Sequence, residues 1–171
     1  AHDILSVMGK TMAEIADILF DGLSDEDKKA VADECMEYEV EYIAAHGGVL
    51  YPHVRETLRE LKNRGIKMAI GSNCQSGYIP AFLKSMDMAE YFCDIEEWGN
   101  THLPKGDNIR LVMERNGVAA EDAVYVGDTA GDKASADAAG IPFIFAAYGF
   151  GEVPDAERSI QSFSELLNMV L

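Results

Sequence analysis

Apolar residues recur at three- and four-residue spacing from early in the chain. Met12, Ile15, Ala16, Leu19 and Phe20 fall on one face, with Glu14 and Asp17 outside it. That pattern predicts a helix stopped by Asp21-Gly22. Ser24 followed by Asp25-Glu26-Asp27 places a good capping side chain before three first-turn acids, which predicts a second helix to about Ala45. His46-Gly47-Gly48 ends it. No strand is expected before residue 49.

Beyond the glycine pair the period changes. Pro52 opens a helix over about His53 to Arg64, closed by Gly65, and the apolar run Ile66–Ile70 reads as a buried strand. Further helices are expected at Tyr78–Met86, Asn108–Asn116, Ala130–Ala139 and Phe163–Val170. Strands are expected near Tyr91–Ile95, at Ala123–Val126 and at Pro142–Ala146. Strands alternating with helices across short glycine-bearing turns predict an α/β fold, a parallel sheet with helices on both faces. The chain therefore divides into a helical stretch, 1–48, and an α/β region, 49–171. There are no repeats and no low-complexity segments.

Composition narrows the partners. The 171 residues are 48% hydrophobic, enough for a packed core, and carry a net charge of −16. Such a field repels phosphate backbones and anionic lipid headgroups, so neither nucleic acid nor a membrane surface is an expected partner. No apolar run approaches the roughly 18 residues a membrane span needs, and nothing reads as a signal peptide. Cys35, Cys74 and Cys93 are far apart and the four histidines are scattered, so neither a disulfide framework nor a zinc site is expected. The expected setting is the cytoplasm, as a monomer or homodimer.

In an open parallel sheet, ligands bind beyond the carboxyl ends of the strands. Ser72, in Gly71-Ser72-Asn73, leaves one such end, where a hydroxyl and the following N–H groups suit an oxyanion; a plain turn is the alternative. Asp128 leaves another, with Asp132 one helical turn on. Two carboxylates facing one point suit a hard cation such as Mg2+; the alternative is a helix cap and a solvated acid. Lys105, in the loop Leu103–Gly106, supplies the cation that an anion site needs in so acidic a chain, unless it is simply solvated surface. Cys74 has no local histidine to activate it and reads as structural.

Taken in order, these residues resemble the haloacid dehalogenase superfamily, in particular its phosphoglycolate-phosphatase-like members with a helical cap. The resemblance implies a Rossmann-like core over 49–171 that lacks its first strand, and a partial helical cap over 1–48. It implies that Ser72 and Asn73 bind the phosphoryl group and that Lys105 neutralises it. Asp128 and Asp132, in Gly-Asp-Thr-x-x-Asp, would hold Mg2+, making Ser72, Lys105 and Asp128 the catalytic set for a small phosphorylated metabolite. For Lys10, in Gly9-Lys10-Thr11, an ordinary capped helix start is the preferred reading, and contact with substrate from a closing cap is the alternative. Trp98 and Tyr148 read as packing residues, Tyr148 being the one able to line the site. Lys105 is followed by Gly106-Asp107 where many relatives have proline.

Similar proteins begin with an apolar strand ending in Asp-x-Asp-Gly-Thr, whose first aspartate attacks phosphorus. Asp25-Glu26-Asp27 follows a helix cap and lacks Gly-Thr, while Leu19-Phe20-Asp21-Gly22 offers one aspartate at a helix end. Neither is expected to be the nucleophile. The missing strand would lie between those carrying Ser72 and Asp128. Without it, interior strand edges stay unpaired at roughly 1–3 kcal/mol for each lost backbone hydrogen bond. The expectation is an Mg2+-dependent phosphatase forming an aspartyl-phosphate on a residue outside this sequence. The alternative is an inactive relative, or a module that only binds phosphate or metal. A receiver-type signalling domain is disfavoured, because no strand before residue 49 carries its acids.

Overall fold

The computed structural model describes residues 4–169. A short 3-10 turn, Ile4–Val7, precedes α1 (Met12–Leu19) and α2 (Asp25–His46). Both helices start as their local chemistry dictates. Thr11 and Glu14 close a capping box on α1, and Ser24 accepts from the Asp27 N–H at the head of α2. Helix α2 presents Val31, Ala32, Cys35, Met36, Val40 and Ile43 along one stripe, of which only Ala32 is fully buried. The stripe packs against α1 and against α4 of the α/β region.

The α/β region runs α3 (Val54–Asn63), β1 (Ala69–Ser72), α4 (Tyr78–Ser85), β2 (Asp94–Glu97) and the single turn α5 (Trp98–Thr101). It continues with α6 (Lys105–Asn116), β3 (Tyr125–Gly127), α7 (Ala130–Ala139), β4 (Phe143–Ala146) and β5 (Ser159–Ile160). All pairing is parallel, as expected: β1 with β2, and β3 with β4 with β5. Along β4 successive side chains go to opposite faces. Phe143 and Phe145 join Ile109, Ala136, Ala139 and Val153 on one face, while Ile144 and Ala146 join Ile160 and Leu166 on the other. Helices thus cover both faces. A third cluster, Leu58, Leu83 and Met88, lies under α3 and α4 against Ile70.

Several boundaries differ from the sequence expectation. The strand expected at Ile66–Ile70 is displaced to Ala69–Ser72, because Gly65 (φ 76°) ends α3 and the next residues only carry the chain across to the sheet. The strand expected at Tyr91–Ile95 forms at Asp94–Glu97, since Ala89–Tyr91 make a 3-10 turn. The last helix is a 3-10 segment, Phe163–Asn168; the Val170 end of that expectation lies outside the described residues. Neither α5 nor the two-residue β5 was foreseen; both are too short to show a period.

β1 and β3 do not pair with each other: the strands form two separate sheets. The phenol of Tyr125 on β3 spans the gap and donates to the Gly71 carbonyl on β1 (2.9 Å). Two cavities flank the gap. One of about 740 Å³ is lined by Ala69, Gly71, Ile109, Val124 and Tyr125. The other, about 660 Å³, is lined by Met68, Ile70, Val126, Asp128 and Tyr148.

Candidate active site

Ser72 ends β1 opposite Glu97, the last residue of β2. Its hydroxyl donates to Cys74 Sγ (2.9 Å) and accepts from the Cys74 N–H (3.2 Å), so the strand turns tightly into the loop that leads to α4. Burial pushes the Cys74 thiol above its ordinary pKa, which leaves it a poor nucleophile and agrees with a structural role. Glu97, buried to 1% exposure, accepts from the N–H groups of Gly77 (3.1 Å) and Ile79 (2.8 Å) and so fixes the start of α4. The sequence reading passed over Glu97. Its one signal was an acid closing an apolar strand.

Asn73 extends its amide to the Gly9 carbonyl (2.8 Å), and a Cβ on Gly9 would stand 3.4 Å from Thr129 Oγ1. The turn before α1 therefore sits where the ends of β1 and β3 come together. Gly9 has φ 80°, a left-handed conformation that favours glycine. Lys10, the next residue, is exposed, and its charge helps lower the pKa of Glu14 after the Thr11 hydrogen bonds that dominate it. From the helical stretch, Glu39 also reaches the site loop, accepting from Gln75 Nε2 (2.9 Å).

At the end of β3 the helix cap is Thr129, with Asp132 completing a capping box at the start of α7. Asp132 Oδ2 accepts from the N–H groups of Asp128 (3.1 Å) and Thr129 (3.0 Å) and from Thr129 Oγ1 (2.8 Å). Asp132 Oδ1 accepts from Lys105 Nζ (2.7 Å). Burial disfavours the ionised form of Asp132, but the Lys105 ammonium and the Thr129 bonds outweigh it and hold its pKa below the ordinary aspartate value. Gly127 permits this approach, because a Cβ there would overlap the Asp132 side chain.

Lys105 is the first residue of α6 and not part of a loop before it: Pro104, with fixed φ, sets the helix start. Gly106 lets α6 settle on α7, since a Cβ there would meet Ala138 Cβ and the Ser135 carbonyl at 2.9 Å. The lysine is thereby drawn from the surface to 8% exposure.

Asp128 is half-buried. Its Oδ2 accepts from the Phe150 N–H (2.8 Å) and its carbonyl from the Gly151 N–H (3.1 Å), while Oδ1 accepts no hydrogen bond among the described residues. The two acids thus have different surroundings. Asp132 has both oxygens committed, and Asp128 keeps one hard oxygen donor of the type Mg2+ takes in ones and twos alongside water and phosphate. No cluster of three or more His, Cys, Asp or Glu poised for a metal occurs among the described residues. Tyr148, half-buried beyond β4, lies edge-on to Tyr51 (4.9 Å between centroids), and Trp98 lies edge-on to His102 (4.8 Å). Burial, the neighbouring Tyr51 and the Asp128 charge together push the Tyr148 phenol up to about 12.

Parallel strands that bring a strand-end hydroxyl, a buried lysine–aspartate pair and an open carboxylate to one end have the Rossmann-like arrangement of the haloacid dehalogenase-like family. The chain belongs to that family: the family model for haloacid dehalogenase-like hydrolases matches residues 1–146. It is 32% identical over 132 residues to the phosphoglycolate phosphatase of Escherichia coli strain K12, a match covering 73% of this chain and 52% of that protein. The phosphoglycolate phosphatase of Salmonella typhimurium is 31% identical over the same coverage. The chain thus spans about half the length of these curated relatives. In fold it is similar to a haloacid dehalogenase-like family hydrolase from Streptococcus pneumoniae (TM-score 0.83, 21% identity, 99% of this chain and 82% of that one). It is likewise similar to CbbY from Rhodobacter sphaeroides, solved with phosphate (TM-score 0.74, 24% identity, 95% and 77%). No helix among the described residues is long and apolar enough to cross a membrane.

Proposed function

We propose that this chain is part of an Mg2+-dependent phosphatase for a small phosphomonoester, with a helical cap over 1–48 and a catalytic core over 49–171. The observation that carries the proposal is the gap between β1 and β3. Their facing edges are unpaired with each other, the gap is flanked by cavities on both faces, and Ser72 and Asp128 stand at its ends. A parallel strand in that gap would satisfy both edges and place its own last residue between Ser72 and Asp128. An aspartate there, outside this sequence, is the proposed nucleophile, and phosphoglycolate, named by the curated relatives, heads the substrate candidates.

In this reading Ser72 and the Asn73 side chain hold phosphate oxygens, which requires the Gly9 turn to release Asn73 when substrate enters. Lys105, held in position by Asp132, offsets charge on the phosphoryl group. Asp128 Oδ1 would hold Mg2+, which supplies further charge neutralisation to a transferring phosphoryl group. Asp132 acts on the site through Lys105 and the α7 start. In the same reading Lys10, exposed on the proposed cap, meets the far end of the substrate.

The test is phosphate release from p-nitrophenyl phosphate and 2-phosphoglycolate, with and without Mg2+, on purified protein whose intact mass has been measured. Protein carrying an additional strand beyond these residues is expected to turn over only with Mg2+, and Asp128→Asn to abolish that turnover. Mg2+-independent hydrolysis, or hydrolysis unchanged in Asp128→Asn, sinks the reading.

A further inference from the structure

The loop after β4 presses on Asp128 at three places. The Phe150 N–H donates to Asp128 Oδ2 (2.8 Å), and the Gly151 N–H donates to the Asp128 carbonyl (3.1 Å). A Cβ built on Gly149 would overlap Asp128 Cβ, Cγ and Oδ2, and one on Gly151 would stand 2.5 Å from the Asp128 carbonyl oxygen and 3.1 Å from Thr129 Cα. Neither glycine has a positive φ, so glycine is required here by space and not by backbone conformation.

The loop has little room to retreat. The Gly149 N–H is bonded to the Ala146 carbonyl (3.0 Å), Tyr148 is packed on Tyr51, and Val153 is buried to 4% exposure. A side chain added at 149 must therefore displace the Asp128 carboxylate. From the other side Asp132 already holds the Asp128 N–H.

We infer that Gly149 and Gly151 are positioning residues for Asp128: they let the loop clamp Oδ2 so that Oδ1 is presented, in one orientation, to a divalent cation. This rests on the reading of Asp128 as a cation ligand. Groups that orient a metal-binding carboxylate from behind typically change metal affinity 10–100-fold when disturbed.

Two measurements on the purified protein test it. The first is Mn2+ binding, followed by electron paramagnetic resonance of the free ion. Gly149→Ala and Gly151→Ala are expected to bind at least about tenfold more weakly than wild type. Gly22→Ala is expected to bind like wild type, since nothing lies within 4 Å of a Cβ at that position. Equal affinity in Gly149→Ala and wild type overturns the clamp alone, whereas a wild type that binds no Mn2+ overturns the cation-ligand reading and the clamp with it. The second is a thermal-denaturation cycle that needs no metal. Gly149→Ala is expected to lower Tm by on the order of 5 °C in wild type and by far less in an Asp128→Gly background, where the overlapping side chain is gone. An equal loss in both backgrounds shows that Gly149 does not act through Asp128 and overturns the inference.

Discussion

Lys105 Nζ lies 2.7 Å from Asp132 Oδ1, and both side chains are only 8% exposed. A buried pair of this kind owes little of its value to Coulomb attraction alone, because desolvating both charges consumes most of it. What the pair secures is geometry. It holds a cation at the ends of β1 and β3 in a chain of net charge −16. Separately, Arg115 fastens α6 to Asp94 and Glu96 on β2.

Removing one partner leaves the other charged and unpaired. Lys105→Met is expected to lower stability by about 3–5 kcal/mol, read from urea denaturation. Adding Asp132→Asn in the same chain should recover part of that loss, since the amide leaves no buried charge and keeps an oxygen to accept from the Asp128 and Thr129 N–H groups. A double variant less stable than Lys105→Met alone would contradict this account of the pair.

The same pair predicts an acid response. Asp132 has a depressed pKa in the folded state, so the unfolded chain binds the extra proton first as pH falls. The stability it contributes is present above the ordinary aspartate value, and is lost as pH drops through the folded value. Denaturation free energies measured from pH 7 to pH 3 should decline less steeply in Asp132→Asn than in wild type. Parallel curves would show that Asp132 does not set the acid response.

Glu97 is the hidden support of the Ser72 side of the site. Glu97→Ala strands the N–H groups of Gly77 and Ile79 at the head of α4, at roughly 1–3 kcal/mol for each donor left unpaired. Glu97→Gln keeps an acceptor and should lose less. Amide hydrogen exchange should speed up first at Tyr78–Ser85 in the alanine variant; exchange unchanged there would show the carboxylate is not the anchor.

Cys93 and Cys74 should separate by reactivity. Cys93 is exposed, while Cys74 is half-buried with its thiol pKa raised by burial and its sulfur accepting from Ser72. With a thiol-specific chromogenic reagent at pH 8, Cys93 should label first and Cys74 markedly more slowly. Fast labelling at Cys74 would mean that the Ser72 loop opens readily.

Core packing gives the simplest check on the fold. Leu83 of α4, 1% exposed, packs with Leu58 and Met88 in one cluster. Leu83→Ala is expected to cost about 2–5 kcal/mol in the same denaturation assay. A loss below about 1 kcal/mol would mean that α4 is not packed on that cluster.

The helices, their caps and the alternation of strand with helix are legible along the chain, because each depends on neighbours within a few residues. Thr11 and Glu14 close their box wherever the chain goes, and Ser24 meets Asp27 three residues on. Ser72, Asp128 and Asp132 were legible for a related reason: a strand end and one helical turn are local measures. Strand limits were less so, since a strand exists only where a partner pairs with it, and Ala69–Ser72 takes its bounds from Asp94–Glu97.

What these residues do to one another is set by the assembled fold. Lys105 and Asp132 are 27 positions apart, and Phe150 follows Asp128 by 22. No periodicity reports such distances. The close approach of α6 to α7 at Gly106 converts a lysine that reads as surface into the buried partner of an acid, and the bend of the chain after β4 brings glycines against a carboxylate. The same holds for the gap between β1 and β3. Each strand's sequence shows that it wants neighbours, but which edge stays open is a property of the assembled sheet.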